Sequence, residues 1–234
     1  MHDVEVRPEI VDRVLARRGR FHLFDKLDPR KTALIVIDMQ GTFVAPGSPA
    51  EVPVARDIVD NINRLAKELR RLDVKIVWVT HANSHDATGS DWNVFFNHFV
   101  ADDIRELTIK SLSPDGDGQT VWPEMSVEPG DRHIQKNRYS ALIAGSSQLE
   151  RILRSHGITN ILITGTKTDV CCEGTARDAM MLDFNVVMVS DCLAALSDDE
   201  HRAALETVIQ NFGDVMTTAE VLSVLSQISN TEAA

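Results

Sequence analysis

Short apolar runs that alternate with amphipathic segments constrain this chain more than any other feature. Ala33-Leu34-Ile35-Val36-Ile37 is continuous, rich in β-branched residues and too short for a helix. Such a run reads as a parallel strand buried on both faces, here ending at Asp38. In the segment that follows, Ile58, Ile62, Leu65, Leu69 and Leu72 recur at alternating spacings of four and three, giving one apolar helical face with Arg and Lys outside it. Further strands are predicted over 74–80, 132–136, 160–164, 185–190 and 214–217. Helices are predicted from Leu149 to near Gly157, from near Cys171, over Asp198–Phe212 and over Ala219–Ile228. Strands separated by helices imply right-handed crossovers, so the expected fold is α/β, a three-layer α-β-α Rossmann-like arrangement around a six-stranded parallel sheet.

Two regions interrupt the alternation. Residues 1–30 precede the first strand and are predicted to wrap the outside as a helix plus an extended segment, an N-terminal extension packing on a core domain over 31–234. Residues 81–131 read as loop-rich, with turn-forming runs around His81-Ala82-Asn83-Ser84-His85-Asp86 and Ser113-Pro114-Asp115-Gly116. Loops of that length are commonly functional or disordered.

Composition narrows the partners. The formal net charge of −11 disfavours a polyanion, because nucleic acid binding draws on clustered Lys and Arg. The Arg17, Arg18, Arg20 cluster reads as a solvated helix face. No apolar run approaches the length of about 20 residues that spans a bilayer. The charged start, Met1-His2-Asp3-Val4-Glu5, lacks the apolar core of a secretory signal. Three cysteines, two of them adjacent, do not make a disulfide framework and fit a reducing cytoplasm.

In open parallel sheets the site lies at the carboxyl ends of the strands. Asp38 closes the first predicted strand, Lys136 closes the third, and Cys171 opens the helix after the fourth, so three reactive side chains converge on one edge. Separately each has an ordinary explanation: a capping Asp, a solvated Lys and, for Cys171 and Cys172, small core residues, the commoner fate of a free cysteine. Together they form a thiol nucleophile, a carboxylate able to take and return its proton, and a cation favouring both charged forms. A helix N-terminus adds unpaired N–H groups and partial positive charge around the thiol.

Asp38-Met39-Gln40 after a strand, Lys136-Asn137-Arg138-Tyr139-Ser140, and Gly165-Thr166-Lys167-Thr168-Asp169-Val170-Cys171-Cys172 followed by Thr175-Ala176-Arg177-Asp178-Ala179 resemble the isochorismatase-like cysteine hydrolases. That family includes nicotinamidase and the N-carbamoylsarcosine, ureidoacrylate and streptothricin hydrolases, and the resemblance covers about residues 30–225. It implies an Asp38, Lys136, Cys171 triad that cleaves a C–N bond of a small amide or ureide through a Cys171 thioester. Asp38 would be the general acid and base, and Lys136 its electrostatic partner. It further implies an oxyanion hole from the backbone N–H groups of Lys167 and Cys171, a cis peptide at 166–167, and a homodimer or homotetramer.

Two positions depart from the family pattern: Lys167 stands where small or apolar residues are usual, and Cys172 where Val is expected. Nicotinamidases carry an Asp and several His after the second strand. His81, His85 and Asp86 do not reproduce that spacing, and the expectation is no metal and no cofactor. Trp92, Asn93 and Phe96, with Tyr139 beside Lys136, are candidate substrate-pocket walls; Trp92 and Phe96 equally suit burial against the sheet or a neighbouring subunit. Cys192 reads as structural. Alternative functions are an isochorismatase-type vinyl ether hydrolase and a redox-responsive protein using Cys171 and Cys172.

Overall fold

The computed structural model describes residues 1–87 and 89–231. Thr88, within the expected loop, and residues 232–234, the end of the expected 31–234 domain, lie outside the described residues. The elements along the chain are α1 (Pro8–Arg18), β1 (Thr32–Ile37), α2 (Val59–Arg71), β2 (Lys75–His81), α3 (Asn93–His98), α4 (Asp102–Leu112), β3 (Arg132–Lys136), α5 (Leu149–Ser155), β4 (Asn160–Thr166), α6 (Glu173–Met181), β5 (Asn185–Ala194), α7 (Asp198–Asn211), β6 (Asp214–Met216) and α8 (Thr218–Thr231). A one-turn helix, Gly41–Val44, follows β1, and a small antiparallel ribbon pairs His85–Asp86 with Gly89–Ser90.

The six long-sheet strands lie in the order β3-β2-β1-β4-β5-β6, every neighbouring pair parallel. Chain order reverses between β1 and β4, and the crevice at that switch point is where such sheets bind ligands. The two-residue period of a strand sorts side chains to opposite faces. From β1, Ala33, Ile35 and Ile37 enter one core with residues of α1, α5, α6 and α7; Leu34 and Val36 enter the other with α2 and α8. Burial on both faces explains why the strands read as unbroken apolar runs rather than alternating ones.

Element boundaries differ from the sequence reading in three informative places. β5 continues to Ala194, so Cys192 sits within the strand, its Sγ 3.2 Å from Thr218 Oγ1. The helix expected near Cys171 is preceded by a π-helical turn, Thr168–Cys172, which runs directly into α6. The span expected to be loop-rich contains α3 and α4. In α4 the residues turned inward are Thr108 and Leu112, whereas Ile104 and Leu107 are exposed, so the apolar spacing that marks a helix is blurred.

One glycine controls how closely β1 and β4 approach at the crevice. Gly165 pairs with Ile37 at φ +107°, where a Cβ would lie 2.0 Å from the Ile37 carbonyl oxygen. That conformation is open to glycine and costly to other residues. The neighbouring atoms are backbone, so no side-chain rotation relieves the overlap. Gly165→Ala is expected to cost more than about 4 kcal/mol, beyond the usual range for single substitutions. A urea midpoint matching the wild type would contradict this account.

Candidate active site

Four adjacent strands contribute one group each at their carboxyl ends. Asp38 follows β1 at φ +54°, a left-handed conformation that carries its side chain out of the strand alternation. Its N–H is held by the Val79 carbonyl at 2.8 Å. His81 and Lys136 close β2 and β3 and are register partners. Cys171 stands in the π-helical turn after β4, beyond a cis Thr166–Lys167 peptide. Gln40, two residues past Asp38, brackets the backbone of His81: its amide nitrogen donates to the His81 carbonyl at 3.0 Å and its oxygen accepts from the His81 N–H at 2.6 Å.

The groups meet around the Lys136 ammonium. Nζ lies 2.9 Å from Asp38 Oδ2, 3.0 Å from His81 Nδ1, 3.1 Å from the Arg138 carbonyl and 3.4 Å from Cys171 Sγ. Four acceptors therefore surround three N–H donors. Asp38 and Lys136 are 0% and 1% exposed. Because an ammonium can only donate, His81 Nδ1 accepts and Nε2 carries the proton, which it donates to Asn83 Oδ1 at 2.6 Å. Asn83 Nδ2 in turn donates to Asp91 Oδ1 at 2.7 Å and to the Asn137 carbonyl at 3.2 Å.

Burial and charge set the protonation states. Burial, with Lys136 pulling the other way and Asp38 adding to it, pushes the Cys171 thiol up to about 12. Burial lifts the Asp38 carboxyl above its usual range, against the opposing pull of Lys136 and of the neighbouring Cys171 thiol. Burial draws Lys136 down, yet Asp38 and Cys171 together hold the ammonium above its ordinary value. Burial, then the Lys136 charge, keep His81 well below 6.5 and therefore neutral. The resting set is an ion pair beside a neutral thiol. For the thiol, desolvation outweighs the pull of the Lys136 charge.

Cys171 opens onto a cavity of about 190 Å³ whose lining includes Phe43, Trp92, Phe95, Tyr139, Lys167 and Val170. Trp92 stacks on Phe95 with centroids 4.8 Å apart and meets the Tyr139 ring edge-on at 4.7 Å. Trp92 and Tyr139, both expected as walls, line this cavity. Phe96 does not: it is buried with Val100 and Leu112, edge-on to His85. Asn93 is exposed, and its Oδ1 accepts from the Ser90 N–H, bracing the ribbon. Phe43 and Phe95 escaped the sequence reading. Phe43 lies five residues beyond the strand-terminal Asp38, and Phe95 is one residue from Phe96 on a short helix whose facing the sequence does not define.

The residues do not fit a metal of the nicotinamidase kind. Both ring nitrogens of His81 are engaged, to Lys136 and Asn83, and the His85 ring packs on Phe96. Among the described residues no cluster of three or more His, Cys, Asp or Glu is placed to hold an ion. Cys172 is buried with its Sγ 3.8 Å from the Thr164 carbonyl. Among the described residues no helix is long and apolar enough to cross a membrane.

The isochorismatase domain model matches residues 32–220. The chain belongs to this family. Its members are hydrolases, and similar proteins include a probable inactive nicotinamidase, At3g16190, of Arabidopsis thaliana. That protein is 33% identical over 74% of this chain and 86% of its own length. The ureidoacrylate amidohydrolase RutB of Caulobacter vibrioides is 27% identical over 87% of this chain and 95% of its own. Among solved structures, a cysteine hydrolase from Pseudomonas syringae pv. phaseolicola 1448A superposes with a TM-score of 0.80 at 26% identity, covering 89% of this chain and 98% of that one.

Replacing Asp38 by Asn removes a negative charge that raises the thiol and leaves Lys136 acting on it alone. The Cys171 pKa should therefore fall, and the thiolate fraction rise. Alkylation of Cys171 by iodoacetamide at about pH 8 should be faster than wild type by at least about 10-fold, one pKa unit's worth. An unchanged or slower rate, followed by peptide mass spectrometry, would show that charge does not govern the thiol.

Proposed function

We propose that this isochorismatase-family hydrolase is a thiol amidohydrolase that cleaves a C–N bond of a small amide or ureide. The observation that carries the reading is the placement of Lys136 Nζ 2.9 Å from Asp38 and 3.4 Å from Cys171, whose thiol lines an aromatic-walled cavity.

The chemistry follows from the resting charges. Moving the thiol proton to Asp38 converts an ion pair plus a neutral thiol into an ion pair plus a neutral acid. Net charge does not change, and Lys136 touches the negative atom before and after. This matters where water is excluded, because creating an extra charge there costs several kcal/mol. The raised Asp38 pKa makes it a better base for the same reason that it later makes a competent acid.

The Cys171 sulfur then attacks the substrate carbonyl carbon, forming the C–S bond while the C=O π pair moves to oxygen. The backbone N–H groups of Lys167 and Cys171 stabilise the resulting oxyanion. Collapse breaks the C–N bond as Asp38 gives its proton to the departing nitrogen, leaving a thioester. Asp38, again a carboxylate, takes a proton from water, which adds to the thioester carbon. The second collapse releases the acid, and the thiolate recovers the proton from Asp38. Lys136 stays an ammonium throughout.

The dimensions of the cavity, below the few hundred Å³ of drug-sized sites, favour a compact substrate held between Trp92, Phe95 and Tyr139. No substrate contact is assigned to Asn93 or Phe96. The three free, buried cysteines support a reducing cytoplasmic setting. Val94 and Phe99, exposed on and beside α3, support association as a dimer or tetramer. Cys172 facing Thr164 from within the core disfavours a redox pair with Cys171, and a thiol coupled to a base favours acyl transfer over vinyl ether hydrolysis.

Ammonia or amine release from a panel of small amides, ureides and nicotinamide tests the proposal. Wild type is expected to turn over at least one of them, and Cys171→Ala to lose more than about 10³-fold in kcat. Equal turnover by both proteins would eliminate the thiol mechanism.

A further inference from the structure

The turn that carries Cys171 is supported from a part of the chain outside the matched family region. Thr168 opens the π-helical turn, wholly buried, and its hydroxyl shares a 2.9 Å hydrogen bond with Nδ1 of His201 on α7. His201 is itself buried, and the ring of His2 stacks on it with centroids 4.3 Å apart and planes 20° from parallel.

His2 is fixed at both ring nitrogens. The Ala195 N–H donates to Nε2 at 2.9 Å, so Nε2 carries no proton, and Nδ1–H donates to Asp198 Oδ1 at 2.6 Å. The segment leading away from His2 is also anchored. Val4 and Val6 pack on the core, and the Arg7 guanidinium grips the nearly buried Glu206 carboxylate through Nε and Nη2, at 2.9 and 2.6 Å. A segment needed only to cover apolar surface has no use for a histidine locked in one tautomer against another histidine. Burial, with Asp198 pulling the other way, takes His201 down to about 3, so the ring presented to Thr168 is neutral.

We propose that His2 and His201 are positioning residues for Cys171, holding the nucleophile turn through Thr168. The path is continuous: His2 fixes the His201 ring plane, His201 holds the Thr168 hydroxyl, and Thr168 fixes the start of the turn three residues before the thiol. Since Cys171 Sγ sits 3.4 Å from Lys136, a shift of about 1 Å in that turn is enough to cost on the order of 10²-fold in rate.

The test is a double-mutant cycle on the full chain with His2→Ala and Thr168→Val, read two ways: by kcat and KM, and by the pH dependence of Cys171 alkylation with iodoacetamide. Circular dichroism confirms folding, and His2→Phe, which keeps the stack but loses both hydrogen bonds, serves as the milder variant.

His2→Ala is expected to lower kcat about 10-fold at unchanged KM and to move the alkylation profile of Cys171 toward that of an ordinary thiol. His2→Phe should give a smaller change in the same direction. The double variant should be no worse than Thr168→Val alone, because both substitutions interrupt one path. Additive effects in the cycle, or a His2→Ala protein that matches wild type in both readouts, would overturn the proposal. The amidohydrolase reading underlies the kinetic arm only. The alkylation arm decides the positioning role even if no tested amide is hydrolysed, so the two readings fail separately.

Discussion

The ion pair between Asp38 and Lys136 is the constraint around which the sheet edge is organised. Two opposite charges with almost no exposure are tolerable only while each compensates the other, since desolvation costs several kcal/mol per ion and removal of one partner leaves the other stranded. That requirement explains the unusual backbone of Asp38, whose positive φ turns the carboxylate toward β3 across β2. It also accounts for the neutral His81 between the two strands. A charged imidazole beside the ammonium would be repelled, whereas the neutral ring accepts one of its protons.

The topology makes such an assembly possible at low conformational cost. Parallel strands in the order β3-β2-β1-β4 bring the ends of elements far apart in sequence to one line, and each helix crossover returns the chain to the same edge. Gly165 lets β4 press against the last residue of β1, which brings the Cys171 turn within reach of a carboxylate rooted on another strand. The thiol, the carboxylate and the cation are held at the ends of the sheet strands, and the aromatic walls come from the connections, Trp92 and Phe95 between β2 and β3 and Tyr139 just beyond β3.

Much of this was legible in the sequence because burial on both faces leaves continuous apolar runs, and the strand ends then mark themselves. Asp38 and Lys136 follow from that rule, and Cys171 from the start of the helical segment after β4. The walls were not legible to the same degree. On a six-residue helix such as α3 nothing in the spacing tells Phe95 from Phe96, and only the packed fold turns one to the cavity and the other to Leu112. Helix α4 was hidden because two of its apolar residues face outward. What the sequence does not display is the protonation state of Cys171: a nearby cation and a helix terminus are visible in it, but the completeness of desolvation is a property of the whole interior.

The polar chain from Lys136 through His81 and Asn83 to Asp91 has a meaning beyond holding side chains in place. Asp91 belongs to the loop that carries Trp92, and Arg138 Nη2 donates to its carbonyl at 2.7 Å while the guanidinium carbon lies 5.3 Å from the Trp92 ring centroid. The aromatic wall of the cavity and the charge beside Cys171 are thus joined by one unbroken line of hydrogen bonds. Any displacement of the Trp92 loop therefore strains hydrogen bonds that end on the Lys136 ammonium, so the aromatic wall and the charge beside the sulfur behave mechanically as one unit.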